Sequence, residues 1–215
     1  MPKLSELFWN CHCGVKYETV GDDVNYAFVP SGDCLYIYFQ GSSSVSDWIA
    51  NFLFKKRPYK DMDVAFRVHR GFLRCWKQVE DLVIDKILEK DGSGEYVWKK
   101  IVVVGYSHGG ALAGFCHECC WYYRPDLRED GLTGYGFESP RFFGSLWVRK
   151  SLRERWSTFY VYRNCLDIVT HCPPFFFGYC HVGTLIKIGK KSSGLIKDHY
   201  PENVKAALEE YEKGE

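Results

Sequence analysis

The fold is decided by the stretch Ile101-Val-Val-Val-Gly-Tyr-Ser-His-Gly-Gly-Ala-Leu-Ala113. Four apolar, β-branched residues predict a buried strand, and the small residues after Gly110 predict a helix. Between them, Gly-x-Ser-x-Gly is typical of a nucleophile elbow, a tight turn that holds Ser107 above the edge of a sheet. The alternative is a glycine-rich turn of a nucleotide-binding fold. It is disfavoured because neither Gly-x-Gly-x-x-Gly nor a Walker lysine accompanies the turn.

Length and charge limit the class of protein. A chain of 215 residues with a formal net charge of +1 predicts one domain spanning 1–215 and no nucleic-acid partner. No stretch is long and apolar enough to cross a bilayer. The first residues lack the apolar core of a signal peptide, so we expect a cytoplasmic protein. A secreted protein whose leader has been removed is the alternative.

Ten cysteines are numerous for such a chain. Three of them crowd one predicted helix at Cys116, Cys119 and Cys120, which is a poor pattern for a disulfide framework and indicates reduced thiols. Cys116-x-x-Cys119 and Cys11-x-Cys13 raise a metal hypothesis. No second pair at zinc-finger spacing follows, so we expect buried thiols that pack as small apolar groups, and no metal.

Strand and helix patterns alternate along the chain. From Gly71 the apolar positions recur every three or four residues as far as Ile87, which predicts an amphipathic helix. A terminal helix is expected to open at Asp198. Besides the 101–104 strand, strands are predicted at 26–29, 35–39, 63–68, 134–137, 158–163 and 179–188. This order predicts an α/β protein with a mostly parallel, mixed central sheet flanked by helices.

A nucleophilic serine needs a histidine base and a carboxylate that orients it. Asp167 lies immediately after a predicted strand, 60 residues beyond Ser107, and His199 follows 32 residues later. This order and placement predict the catalytic residues Ser107, Asp167 and His199. His181 is the rival base and Glu138 the rival acid.

Stabilising a tetrahedral intermediate requires two preorganised hydrogen-bond donors. The backbone N–H of His108, the residue after the nucleophile, is the first candidate. Ser42 is the second, because it follows the predicted strand 35–39 and a glycine that allows close backbone approach. An ordinary polar turn is the alternative for Ser42.

Together these segments resemble the class 3 (fungal-type) lipase family of the α/β-hydrolase superfamily. The resemblance implies Ser107 as nucleophile, Asp167 as acid, His199 as base, and an oxyanion hole at Ser42 and His108. The family usually has arginine, leucine and glycine where this chain has Gln40, His108 and Glu138. The similar segments are Phe39-Gln-Gly-Ser-Ser-Ser-Val-Ser-Asp-Trp-Ile-Ala-Asn51, Val68-His-Arg-Gly-Phe72, Gly105-Tyr-Ser-His-Gly-Gly-Ala-Leu-Ala113, Phe137-Glu-Ser-Pro-Arg141, Asn164-Cys-Leu-Asp-Ile-Val-Thr-His-Cys-Pro-Pro174 and Gly178-Tyr-Cys-His-Val-Gly183.

The resemblance also implies a helical lid at 43–54. Val45, Trp48, Ile49 and Phe52 would share one face of such a helix, and Trp48 and Ile49 would meet substrate. A permanently packed short helix is the alternative.

The resulting hypothesis is a serine carboxylester hydrolase that cleaves apolar acyl esters without a cofactor, with lipid or another apolar ester as substrate and contact with a lipid interface. Phospholipase A1, acyltransferase and a non-catalytic lipid- or protein-binding module remain alternatives. The sequence makes no prediction of the oligomeric state.

Overall fold

A seven-stranded mixed sheet organises the chain. The structure is a computed structural model that describes residues 2–21, 24–41 and 54–214. The strand order is β1-β2-β3-β6-β7-β8-β9. The first two pairings are antiparallel and the remaining four are parallel. The strands are β1 (Glu18–Val20), β2 (Val24–Ser31), β3 (Cys34–Phe39), β6 (Lys100–Tyr106), β7 (Leu132–Phe137), β8 (Phe159–Asn164) and β9 (Thr184–Ile188).

A separate two-stranded antiparallel sheet lies between β3 and β6 in the chain order, formed by β4 (Lys56–Tyr59) and β5 (Phe66–His69). The described residues form the α-helices α1 (Leu4–Trp9), α2 (Arg70–Ile87), α3 (His108–Tyr123), α4 (Lys150–Arg153) and α5 (Pro201–Gly214). A π-helical turn, Asn10–Gly14, continues α1. Short 3₁₀ turns occur at Pro125–Leu127, Glu154–Trp156, Val169–His171, Phe175–Phe177 and Lys197–His199.

The central strand β6 separates two apolar cores, because successive side chains of a strand point to opposite faces. Ile101 and Val103 pack into the core that contains α2 and α3. Val102 and Val104 pack into the core that contains α1 and α5. A strand buried on both faces explains the unbroken apolar run in the sequence, and the fold agrees with the predicted α/β class.

The predicted amphipathic helix is α2. Its apolar positions are all buried, and burial of each such side chain contributes roughly 1.5–3 kcal/mol; they are Phe72, Trp76, Val79, Val83 and Ile87. His69 caps the N-terminus of this helix, since its Nδ1 accepts from the N–H groups of Gly71 and Phe72 at 3.2 and 3.4 Å. Among the described residues, no helix is long and apolar enough to span a membrane.

Three predicted boundaries are wrong. The strand predicted at 63–68 begins only at Phe66, because Met62 and Asp63 have φ of 54° and 56°, outside the β region. The strand predicted at 179–188 begins only at Thr184. There, Gly183 at φ 70° passes so close to the Phe159 carbonyl that a Cβ would lie 2.1 Å from its oxygen.

The terminal helix α5 begins at Pro201 rather than Asp198, and residues 197–199 form a separate 3₁₀ turn. Except for Phe54, the predicted lid segment 43–54 lies outside the described residues.

Candidate active site

Ser107 occupies a strained turn between β6 and α3. Its φ of 55° and ψ of −126° are unusual for a residue other than glycine. The two motif glycines are required by close backbone approach: a Cβ on Gly105 would lie 2.1 Å from the carbonyl oxygen of Gly109. A Cβ on Gly109 would in turn lie 2.1 Å from the carbonyl oxygen of Phe39. The sequence therefore forms the nucleophile elbow predicted from Gly-x-Ser-x-Gly.

The structure brings the three predicted catalytic side chains together. His199 Nε2 lies 2.9 Å from Ser107 Oγ, and His199 Nδ1 lies 2.8 Å from Asp167 Oδ2. The three residues are 3%, 2% and 0% exposed, in the order Ser107, His199 and Asp167. The site is thus a continuous, buried hydrogen-bonded chain. With Nδ1–H donating to the carboxylate, Nε2 is left to accept the serine proton.

Asp167 is held by the loop that follows β8. Its backbone N–H donates to the Asn164 carbonyl at 3.0 Å, and its Oδ1 accepts from the Val169 N–H at 2.9 Å. Oδ1 is therefore occupied by a backbone donor while Oδ2 faces His199. This arrangement fixes the orientation of the carboxylate before any substrate arrives.

His199 is held by its neighbours in sequence and by the strand of the nucleophile. The Tyr106 hydroxyl donates to the His199 carbonyl at 2.5 Å, and the two rings stack with centroids 5.2 Å apart. Burial raises the pKa of Tyr106, so its hydroxyl remains a donor. The sequence alone does not predict this role of Tyr106, although the residue stands inside the Gly-x-Ser-x-Gly motif.

Asp198 fastens the histidine loop to the aspartate loop. Its Oδ2 accepts from the Leu166 N–H at 3.1 Å, and its Oδ1 accepts from the Ser193 N–H at 2.7 Å. The Asn164 amide donates to the Asp198 carbonyl at 2.9 Å. These contacts fix the distance between the loop that carries Asp167 and the loop that carries His199.

A second buried carboxyl lies beside Asp167. Glu138 follows β7, is fully buried, and accepts from the Asn164 N–H at 2.8 Å through Oε1. Burial, followed by a hydrogen bond and like charge from Asp167, raises the pKa of Glu138 well above its usual range. The structure therefore places the rival acid next to the predicted acid.

The rival base lies elsewhere. His181 precedes β9, and its Nε2 lies 2.9 Å from the Thr170 carbonyl oxygen. Burial lowers the pKa of His181 to about 3, which keeps the ring neutral. His117 is fully buried, with its nitrogens 3.1 Å from the Arg155 carbonyl and 3.1 Å from the Thr158 hydroxyl. His199, and neither of these rings, contacts Ser107.

The predicted oxyanion residues are only partly described. His108 is the first residue of α3, directly after Ser107. Ser42, Trp48 and Ile49 lie outside the described residues. Gly41, which precedes Ser42, is described, and a Cβ there would lie 3.1 Å from the Ser107 Cβ. The chain after β3 therefore passes directly against the nucleophile.

Glu138, Asp167 and His199 each offer one possible metal-ligand atom, and these atoms lie within 4.8 Å of one another. Both nitrogens of His199 already contact Asp167 and Ser107. A metal ion bound to this imidazole would have to break one of those contacts. The ten cysteines are free thiols. Burial raises the pKa of Cys116 and Cys119 well above the usual value, which favours the neutral packing role predicted for them.

This fold, with serine, histidine and aspartate at the carboxyl ends of parallel strands, is that of an α/β hydrolase. The family model "Lipase (class 3)" matches residues 36–177. The chain belongs to the class 3 lipase family, as its motifs predicted.

Known lipases are similar to this chain in sequence and in structure. A lipase from Rhizomucor miehei is 30% identical over 219 residues, which cover 95% of this chain and 56% of that protein. A triacylglycerol lipase described as having a serine protease triad as its catalytic centre superposes with a TM-score of 0.71 at 26% identity, covering 86% of this chain and 77% of the other. The chain spans about half the length of the relative from Rhizomucor miehei.

The expectation of a cytoplasmic protein is contradicted by the relatives. A protein from Penicillium cyclopium, named secreted mono- and diacylglycerol lipase A, is 28% identical over 169 residues, covering 76% of this chain and 51% of that protein. The first residues therefore do not support a cytoplasmic location, because a secretory leader is removed from a mature protein.

Proposed function

We propose that this chain is a serine hydrolase that cleaves apolar carboxylic esters through an acyl-enzyme. The single observation that carries the proposal is the hydrogen-bonded chain Ser107–His199–Asp167, with contacts of 2.9 and 2.8 Å. His199 takes the hydroxyl proton as Ser107 Oγ attacks the ester carbonyl, and then gives it to the leaving alcohol. Asp167 stabilises the imidazolium. Water resolves the acyl-enzyme by the same route, and no cofactor enters the reaction.

The oxyanion of the tetrahedral intermediate would be bound by the backbone N–H of His108 and by Ser42. Two observations support this. His108 opens the helix that begins at the nucleophile, where the helix dipole is positive. Gly41, directly before Ser42, lies so near the nucleophile that a Cβ on it would be 3.1 Å from the Ser107 Cβ. Each such donor contributes roughly 2.7–4 kcal/mol to lowering the barrier.

An apolar substrate is supported by the surface around the two catalytic loops. Leu166 precedes Asp167 and is 52% exposed, while Ile196 and Tyr200, beside His199, are 53% and 50% exposed. Such residues next to a buried polar site fit contact with acyl chains or a lipid surface better than contact with water. The names of the relatives, lipase and mono- and diacylglycerol lipase, support the same substrate class.

Access to Ser107 requires an opening, because this side chain is 3% exposed. We assign that movement to the segment 43–54, with Trp48 and Ile49 meeting the acyl chain. The described end of the segment supports this: Phe54 packs on the exposed Phe177, with ring centroids 4.8 Å apart. A short contact between two partly exposed rings is easily exchanged for contact with lipid.

The test compares the wild type with Ser107→Ala on p-nitrophenyl esters of increasing acyl length, in solution and as emulsions. We expect kcat to fall by about 10⁴-fold or more in the variant, because the other groups cannot replace the nucleophile. Ser157→Ala is the matched control, since Ser157 is exposed and precedes β8 at the end of the sheet opposite to Ser107.

Equal hydrolysis by the wild type and Ser107→Ala would refute the proposal. No hydrolysis by either would favour the non-catalytic module. A preference for long chains with a rate jump on emulsions supports the lipase assignment and the movable segment. Phospholipase A1 or acyl-transfer activity would appear as release of fatty acid from phosphatidylcholine, or as ester formation with an added alcohol.

A further inference from the structure

The carboxyl of Glu138 is not used by the proposed mechanism, yet it lies inside the catalytic site. It is fully buried, and its nearest ligand atom lies within 4.8 Å of those of Asp167 and His199. The residue also adopts φ 49°, a conformation that favours glycine. A buried acid at a strained position requires a compensating interaction.

The hydrogen bonds of the two carboxyls are unequal. Asp167 accepts from the Val169 N–H and from His199 Nδ1, one donor at each oxygen. Glu138 accepts from the Asn164 N–H at Oε1. Its Oε2 is buried and receives no donor from the described part of the chain. Donors stabilise an anion, so the negative charge belongs on Asp167 and the proton belongs on Glu138.

We propose that Glu138 is a positioning residue: a neutral carboxylic acid that donates its Oε2 proton to the Asp167 carboxylate and so holds that anion toward His199. The pair shares one proton and one negative charge, as two adjacent carboxyls do when both cannot ionise. Its effect on ester cleavage rests on the function proposed above. Its protonation does not.

The other groups that face Glu138 allow this assignment. Tyr106, at the end of β6, is a neutral phenol, because burial and the nearby carboxyl of Glu138 raise its pKa. The ring of His199 is neutral while it accepts from Ser107. Arg163, on β8, favours the charged form of Glu138, but burial and Asp167 act more strongly in the opposite direction. Burial and Asp167 together therefore favour the neutral form of Glu138.

Infrared spectroscopy tests the protonation directly. At neutral pH the wild type is expected to show a C=O stretch from protonated Glu138, beside the band of partly protonated Glu118, and Glu138→Gln is expected to lose only the Glu138 band. Glu118→Gln is the matched control, because Glu118 is another buried carboxyl, on α3, with a pKa that burial raises to about 7. It should leave the Glu138 band in place. A wild-type spectrum identical to that of Glu138→Gln overturns the proposal.

The pH dependence of unfolding gives a second readout. A carboxyl whose pKa is raised in the folded state stabilises the fold below its unfolded pKa, and this contribution is lost as pH rises toward the folded pKa. In that window the unfolding constant of the wild type should rise tenfold per pH unit relative to Glu138→Gln. A ratio that stays constant between pH 5 and roughly pH 8 shows that Glu138 is ionised and refutes the proposal.

Activity distinguishes positioning from packing. Glu138→Gln keeps an N–H donor toward Asp167. Glu138→Gly removes the donor. Because glycine readily adopts the positive φ of this position, the glycine variant should fold even if the glutamine variant does not. Glycine should lower kcat by roughly tenfold or more with KM unchanged, and glutamine should restore part of that loss. Equal kcat in the wild type and both variants refutes positioning. A wild type without esterase activity refutes only the proposed function, because the infrared and unfolding readouts still decide the proton.

Discussion

Replacing Asp167 by asparagine tests the central geometry of the site with almost no change in shape. The side chain is fully buried, and its two oxygens have different partners: Oδ1 accepts from the Val169 N–H and Oδ2 contacts His199 Nδ1. The asparagine amide therefore has to choose between two orientations. Each orientation harms the catalytic chain in a different way.

With the amide NH₂ toward His199, the ring must carry its proton on Nε2, and it can no longer accept from Ser107. With the amide oxygen toward His199, the NH₂ faces the Val169 N–H and leaves buried donors unsatisfied, which costs roughly 1–3 kcal/mol. In both orientations the imidazolium loses a negative charge about 4 Å away, an interaction worth about 4 kcal/mol at an effective dielectric constant of 20.

In the orientation that leaves Nε2 able to accept from Ser107, the two terms add to roughly 5–7 kcal/mol, so we expect kcat/KM to fall by about 10⁴-fold or more. The assay is p-nitrophenyl butyrate hydrolysis, with thermal unfolding measured on the same samples. Asp198→Asn is the control, since it changes the neighbouring buried carboxylate, whose contacts are to Leu166, Ser192 and Ser193. Asp198→Asn should lower the free energy of unfolding, and its kcat should fall much less than that of Asp167→Asn. Retention of more than a tenth of the activity by Asp167→Asn would refute the reasoning.

Two further predictions concern stability. Gly109→Ala places a Cβ 2.1 Å from the Phe39 carbonyl, so the free energy of unfolding in urea should fall by about 3 kcal/mol. Gly92→Ala, where a Cβ meets nothing within 4 Å, should change it little, and equal effects would contradict the close approach. Burial acts to raise the pKa of Asp198, but hydrogen bonds from Ser192, Ser193 and Leu166 lower it below its usual value. This stability is present above the unfolded pKa of about 3.8 and is lost as pH falls through the folded pKa. Asp198→Asn should therefore flatten the acid limb of an unfolding titration, and an unchanged limb would show that the carboxylate is not held in this way.

The parts of the fold that could be predicted from sequence are those in which a periodic pattern and a steric requirement agree. Three features illustrate this, since each is compatible with a single local structure: the apolar run of β6, the buried apolar positions of α2, and the glycines of the elbow. Tyr179–Ile188 failed as a strand because Gly183 leaves the β region against the backbone at Phe159. That contact joins residues distant in sequence, and no local pattern contains it.

The candidate site was predictable in its residues and less so in their support. Ser107, Asp167 and His199 follow from motif, order and position after strands. Tyr106 and Asp198 hold the histidine through a backbone carbonyl and through loop N–H groups. Such contacts depend on the path of the backbone in three dimensions, so the presence of a tyrosine or an aspartate in the sequence does not predict them.

Glu138 shows how the topology itself determines which residues share the site. Strand β7 lies between β6 and β8 in the parallel part of the sheet. Ser107 directly follows β6, Glu138 directly follows β7, and Asp167 lies in the loop after β8, three residues beyond Asn164. The position after β7 therefore faces the space between the nucleophile and the acid, whatever side chain it carries. With glycine there, the donors to Asp167 would be the Val169 N–H and His199 Nδ1. A carboxyl there is forced into contact with Asp167, and since two buried like charges cannot coexist at that distance, it must be neutral and donate. A glutamic acid in place of glycine at this position therefore changes the electrostatics around Asp167.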